Sequence, residues 1–581
     1  MEATAVSTPE SVTADNGASS RSQLASRAVL TLFALLSLTV VGVLVWNILV
    51  HGAIWTGSVG YVFDSMQYLA WVREGADHFL SGNLFSLEPP VRNYLNPGLI
   101  ISSGLSKLGL SIPLAYAFWI PVGIAALVWV VRRFSNWLEL TGWTSVAVIA
   151  LALLYKIPAA AILQGHVPVE NVNALTYAGT DAWPVYWSWG FSLTAISVAL
   201  LCLGIMRYDA IRNSGVRASF GLMMIALFCS WLQPWQGAIL LALIVGGEII
   251  AGFVLKQGAG LRGRLSLLAT TVIAGTLPLA YYAILGKIDE AWRINGLQAN
   301  SYVKGVSWWT AVALMLPLLA ASVFAYLKRP DSFRAIAIRL WPLIAIAEML
   351  TIDITKVGNT STHSLKGITF PLAVLAVTGT APLFKRLADR SFVGSATLAT
   401  ALVGVLFIPG AVNQIHSQLF DMSLNQRGGY YYVSRYDEEA LAWLTTQKGP
   451  GGVYASSLYG SMVPWRTDRS TWVGHETWTP RFQGRSYFNE NLLDGHLPAI
   501  AFGLSPAAVV KWSGARWVFQ DCYRKRVQRA SKYPTLDSQL APITKLKKTF
   551  GCATIWEITP GKGPAPAGID RYHLNWRASD G

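Results

Sequence analysis

The sequence is poor in charge. Asp, Glu, Lys and Arg make up 13% of its 581 residues, against about 25% in a soluble globular protein. With 53% hydrophobic residues and a mean hydropathy of +0.40, that deficit excludes an ordinary soluble domain and indicates a membrane protein. Cysteine is scarce, at four residues. None stands in a CxxC pair or in Cys/His zinc spacing, which excludes a zinc ribbon or finger. The chain has no P-loop, no GxGxxG opening a helix, no DxD acid pair and no serine nucleophile elbow. Nucleotide-binding and serine-hydrolase signatures are therefore missing. No internal repeat of useful length is evident. Acidic residues are outnumbered, 31 to 46, for a net charge of +15. In a soluble protein that excess would point to nucleic acid. Here the basic residues gather in short stretches between apolar runs, the positive-inside pattern, and no nucleic-acid partner is expected.

What is present is a series of apolar runs. They lie at about 27–50, 112–131, 142–163, 184–206, 218–233, 236–255, 266–286, 307–327, 337–352, 367–384 and 392–410. The reading is an α-helical polytopic membrane protein with about eleven transmembrane helices and a C-terminal extracytoplasmic α/β domain. Twenty-four Trp suit many interfacial belts. Arg132/Arg133, Arg207/Arg212/Arg217, Lys256/Arg262/Arg264, Lys328/Arg329/Arg334/Arg339 and Lys385/Arg386/Arg390 fall on one side, which the positive-inside rule makes cytoplasmic. The expected division is a disordered cytoplasmic tail over 1–26, a transmembrane domain over 27–410 with a large first outer loop at 51–111, and an extracytoplasmic domain over 411–581. The location expected is the plasma membrane, multi-pass, with the N-terminus inside.

In the last region, 451–456, 515–521 and 550–558 read as strands, and 436–447 and 505–514 as helices. Cys202 and Cys229 lie in apolar runs and read as small core residues. Cys522 and Cys552 lie in the polar part. Outside the cytoplasm they are a disulfide candidate.

Asp64 follows the first apolar run within a few residues, and a charge beside a bilayer is costly unless solvated, paired or useful. The Pro-free stretch from Asp64 to Leu80 predicts a helix with Asp64, Gln67, Tyr68, Trp71, Gly75 and His78 on one face. Aromatic rings there suit sugar stacking, with Tyr68, Trp71 and His78 as candidates. A carboxylate suits removal of a proton from an attacking hydroxyl. The rival reading makes Asp64 the helix N-cap, with Gln67 as its capping-box partner. Glu170, Asp181, Asp289 and Glu290, in the outer loops 164–183 and 287–306, are candidates for a second acid or ordinary solvated residues. Lys356, His363 and Lys366 lie at the outer mouth of a span. They suit the phosphate of a lipid carrier, with interfacial snorkelling as the alternative. Lys156, inside a predicted span, is a further ionisable candidate.

A multi-span chain with a large first outer loop, an acid just after the first span, an interfacial helix behind it and a C-terminal outer domain resembles the GT-C superfamily of polyprenyl-phosphate-sugar-dependent glycosyltransferases. The segment FDSMQYLAWVRE (63–74) is similar to segments of actinobacterial members. The resemblance implies an inverting hexosyl- or pentosyltransferase. It would move a sugar from a polyprenyl-phosphate donor to an extracytoplasmic acceptor, a cell-envelope glycan, lipid or protein. Asp64 matches the family's loop acid, a general base, and His363 and Lys366 resemble the residues that hold the donor phosphate. Many members carry paired acids, but Ser65 follows Asp64 here, which leaves open a divalent cation (Mg or Mn). His475, Glu476 and Trp478, with Arg481, either bind acceptor glycan or form a turn. The rival classes are a transporter or flippase of lipid-linked glycans, a non-catalytic envelope scaffold and, less well supported, a membrane acyltransferase.

Overall fold

The computed structural model describes residues 10–156, 163, 165–166, 168–256, 261–302, 308–355, 360–390, 395–424, 431–494, 504–530, 535–567 and 569. Lys356 lies outside the described residues, as does the side chain of Glu170.

Helices occupy all eleven apolar runs: Glu10–His51, Trp119–Trp137, Gly142–Leu154, Ser192–Ile211, Phe220–Leu232, Pro234–Val254, Leu261–Ile288, Trp308–Tyr326, Phe333–Thr355, Thr369–Arg390 and Ser395–Asp421. Lipid offers the backbone no hydrogen bonds, so a spanning segment must satisfy its own N–H and C=O groups, and a helix does so residue by residue. Among the described residues, seven helices are long and apolar enough to cross a membrane, while Gly142–Leu154 and Phe220–Leu232 are apolar but shorter. The protein is a multi-pass helical membrane protein.

Two expected boundaries move. The first helix starts at Glu10, inside the stretch expected to be disordered. Nucleation is the costly step of helix formation, and the apolar run supplies it. Elongation back through a Pro-free sequence is cheap. The last membrane helix continues through Pro409 to Asp421, past the boundary expected at 410/411. Neighbouring groups satisfy what a proline leaves open in such helices.

The loop 51–111 and the C-terminal part interlock. Strand β1 (Ile54–Trp55) pairs antiparallel with β2 (Tyr432–Val433). A cavity of about 340 Å³ lined by Gly52, Ile54, Tyr432 and Arg435 lies beside this ribbon. The remaining strands are β3 (Val453–Tyr454), β4 (Trp517–Gln520), β5 (Thr544–Phe550) and β6 (Ala553–Ile558). They form one sheet in the order β3-β4-β6-β5, with β3 and β4 parallel and the other pairs antiparallel. Helices Arg435–Thr446 and Pro506–Ser513 stand where the sequence predicts them. Strand β5, TKLKKTF, was not expected. Its lysines lower strand propensity, and they suit an exposed sheet edge, where charge deters pairing with other chains. A disulfide joins Cys522 to Cys552, and Cys202 and Cys229 are buried free thiols.

Candidate active site

Helix Val62–His78 carries Asp64 in its first turn. Tyr61 occupies the N-cap position and no side chain caps the helix, which overturns the N-cap reading of Asp64. Nor is this helix a surface element with an open aromatic face. Met66, Gln67, Leu69, Trp71 and Val72 are all buried. Trp71 packs at 4.3 Å from Tyr94, 6.4 Å from Trp292 and 5.3 Å from Trp478 (ring centroids). Trp71, expected to stack on sugar, and Trp478, expected to bind acceptor glycan or to form a turn, are thus enclosed in an aromatic cluster whose driving force is burial. Tyr68 stacks on Tyr116 at 5.4 Å. His78 sits fourteen positions beyond Asp64, about 21 Å along the helix axis, near Glu74 at 3.8 Å, so it belongs to no common site with Asp64.

Asp64 instead meets a residue 411 positions away. Its Oδ1 lies 3.0 Å from His475 Nε2. The Asp64 side chain is 32% exposed and that of His475 2%. Next along the chain, Glu476 accepts a 2.9 Å hydrogen bond from the Tyr61 hydroxyl. Burial, with the nearby Asp64 charge, raises the Glu476 carboxyl above its ordinary range. His475 and Glu476, expected as acceptor contacts or turn residues, therefore close on both sides of the Asp64 turn. Gly60 lets this turn reach the short helix Pro184–Gly190: a Cβ at Gly60 would lie 2.8 Å from Gly190 Cα and its carbonyl oxygen.

A second cluster surrounds Asp181, at the end of helix Val169–Asp181. Thr362 Oγ1 donates to its Oδ2 at 2.5 Å, His363 Nδ1 lies 3.0 Å from the same oxygen, and Lys366 Nζ lies 3.3 Å from Oδ1. His363 and Lys366 come from the one-turn 3-10 helix Ser361–Leu365 and the residue after it. Gln236 holds that turn by donating to the carbonyls of His363 and Lys366 at 3.0 and 3.3 Å. In the sequence Gln236 stands at the break between two apolar runs, in the segment Gln233-Pro234-Trp235-Gln236. Burial alone would raise the Asp181 carboxyl, but Lys366 and then His363 hold it well below the usual carboxylate range. Burial and the Lys366 charge lower His363. Lys156 sits nearby with its Nζ 5.5 Å from the Trp183 ring centroid, and its charge interacts with Asp181. Asp181, expected as a second acid, is thus the counter-ion of the basic group.

The two clusters lie within electrostatic reach of one another. Burial lowers both His363 and Lys366, and the Asp64 charge is a minor influence in the opposite direction; Tyr186 lies within reach of both Asp64 and Asp181. The other acids lie apart in role. Asp289 caps its helix through the Trp292 N–H at 3.0 Å and accepts from Asn93 at 2.7 Å, while Glu290 is exposed beside Arg293 at 3.9 Å. Among the described residues, no group of three or more His, Cys, Asp or Glu side chains is arranged to hold a metal ion.

No protein-family model matches the sequence. No curated protein matches it either. Among solved structures it is similar to an oligosaccharyltransferase from Archaeoglobus fulgidus in complex with Zn and sulfate. That match has a TM-score of 0.46 and 12% identity, covering 89% of this chain and 71% of that one. It is also similar to the arabinofuranosyltransferase AftD from mycobacteria, with a TM-score of 0.48 and 13% identity over 92% of this chain. The match spans 42% of that longer protein.

Proposed function

We propose that the protein is an inverting GT-C-type glycosyltransferase, working at the outer face of the plasma membrane on a polyprenyl-phosphate-linked sugar. The acceptor is a hydroxyl of an envelope glycan, lipid or protein. The observation that carries this reading is one carboxylate, Asp64, one-third exposed and hydrogen-bonded through Oδ1, within electrostatic reach of His363 and Lys366 in the buried basic group. Among the described residues Asp64 Oδ2 has no hydrogen-bond partner, so it is available to a substrate hydroxyl.

In the reaction, Asp64 Oδ2 takes the proton of the acceptor O–H. The acceptor oxygen forms a bond to the anomeric carbon from the face opposite the phosphate. The carbon–oxygen bond to the phosphate breaks, and the polyprenyl phosphate leaves with the electron pair. One positioned base contributes roughly 10²–10⁴-fold to such a step. Fixed positive charge aimed at the leaving phosphate supplies electrostatic stabilisation at no cost of reorganisation. Lys366 is 1% exposed, so it acts on the phosphate mainly through its field. His363, at 17%, is the member open to contact.

The test is transfer of radiolabelled sugar from a panel of polyprenyl-phosphate sugars onto envelope extracts, by purified wild type and Asp64→Asn. Asn keeps the shape and still accepts the His475 hydrogen bond, so folding is expected to persist while transfer falls by about 10³-fold or more. A fully active Asp64→Asn would sink the assignment. A folded wild type that transfers from no donor would leave the transporter and scaffold readings.

A further inference from the structure

The proton on the His475 ring can be located by elimination. A backbone N–H only donates, and the Thr477 N–H points at His475 Nδ1 at 3.1 Å. Nδ1 is therefore an acceptor, and the Thr477 hydroxyl, also at 3.1 Å, sits on the same atom. The ring proton is left to Nε2, which donates it to Asp64 Oδ1 at 3.0 Å. Which nitrogen carries the proton is set by the bond the other one makes. His475 thus has no free nitrogen with which to take a proton from an acceptor.

The loop that presents this ring is rigid. The Gly474 N–H donates to Thr479 Oγ1 at 3.0 Å, and the His475 carbonyl accepts from the Thr479 N–H at 2.9 Å. Gln298 donates to the carbonyls of Thr477 and Thr479 at 3.0 and 2.7 Å. At Gly474 a Cβ would lie 2.6 Å from Phe85 and 2.9 Å from the Gly460 carbonyl oxygen, so only glycine allows the approach. The ring itself lies 5.7 Å from the Phe85 ring (centroids), buried.

We infer that His475 is a positioning residue for Asp64: a neutral donor, supplied by the C-terminal domain, that fixes Oδ1 and thereby aims Oδ2 at the acceptor hydroxyl. The inference rests on the glycosyltransferase reading for its consequence, but the tautomer on which it stands is independent of turnover. A misplacement of about 1 Å in a reacting group costs about 10²-fold, so His475→Ala should lower kcat by about that factor with little change in donor KM.

Two near-isosteres separate aiming from simple support of the loop. The amide nitrogen of Gln overlays Nε2 and can donate to Asp64. The shorter Asn overlays Nδ1, can accept from the Thr477 N–H and falls short of Asp64. His475→Gln is therefore expected within about tenfold of wild type and His475→Asn near the Ala variant. The reverse order would make His475 a loop support and overturn the inference while leaving the assignment of Asp64 intact. The second measurement is a ¹⁵N spectrum of histidine-labelled full-length protein in detergent, with the His475 signal identified by its loss in His475→Gln. A neutral ring protonated on Nε2 is expected. A ring protonated on Nδ1 overturns the inference whether or not any sugar is transferred.

Discussion

Asp181 takes contacts from Thr362, His363 and Lys366 at once. Its own side chain is 6% exposed and that of Lys366 1%, so neither charge has water to fall back on. Removing one member of such a pair strands the other and costs about 3–5 kcal/mol, whereas replacing both with apolar groups of similar size is often near neutral. Asp181→Asn and Lys366→Met are each expected to lower thermal stability in detergent sharply, and the double variant to recover most of the loss. Strictly additive effects would show that the pair is not coupled. The folded carboxyl of Asp181 is held below its unfolded value. The stability it contributes is therefore present above about pH 4 and is lost as the pH falls below that. At this scale the sequence displays residue types but not partners. Asp64 stands out because a charge at the end of an apolar run is rare. His475 is a candidate in the sequence too, but its partner is not legible there, because that partner lies 411 positions away.

At the scale of elements, hydropathy reads well and irregular polar structure reads poorly. The helices were legible because each must satisfy its backbone within one continuous apolar segment. The helix Val62–His78 was legible as a helix, but its environment was misread. An amphipathic pattern does not tell which protein surface covers the polar side, and here the C-terminal domain and helix Glu290–Tyr302 do so through Trp478 and Trp292. Strand β5 was hidden by its lysines, which face solvent at the sheet edge. The disulfide closes a loop of 30 residues, and chain-entropy reasoning gives it about 3–4 kcal/mol. Cys522→Ala with Cys552→Ala is expected to make the C-terminal domain cleavable by protease at markedly lower urea than wild type. Unchanged protease resistance would show that the sheet stands without the crosslink. Such a bond persists in an oxidising compartment, in keeping with an outward-facing domain.

At the scale of the whole molecule, the proposed orientation rests on charge: the basic clusters alternate with apolar runs, and the positive-inside rule would put that set of loops inside. A cysteine introduced at Ser214 should be shielded from a membrane-impermeant maleimide in intact cells, and one at Ser538 should be labelled. Labelling at Ser214 alone would invert the topology and remove the outer-face reaction with it. The ribbon of β1 and β2 and the bond from Asp64 to His475 both join residues 51–111 to the part of the chain that follows the helix Ser395–Asp421. A ribosome reaches His475 only after the eleven helices of the apolar runs have been synthesised, so a chain cut short before it holds Asp64 without its partner. The Asp64 pairing is thus assembled only when the last part of the sequence folds back onto the first loop.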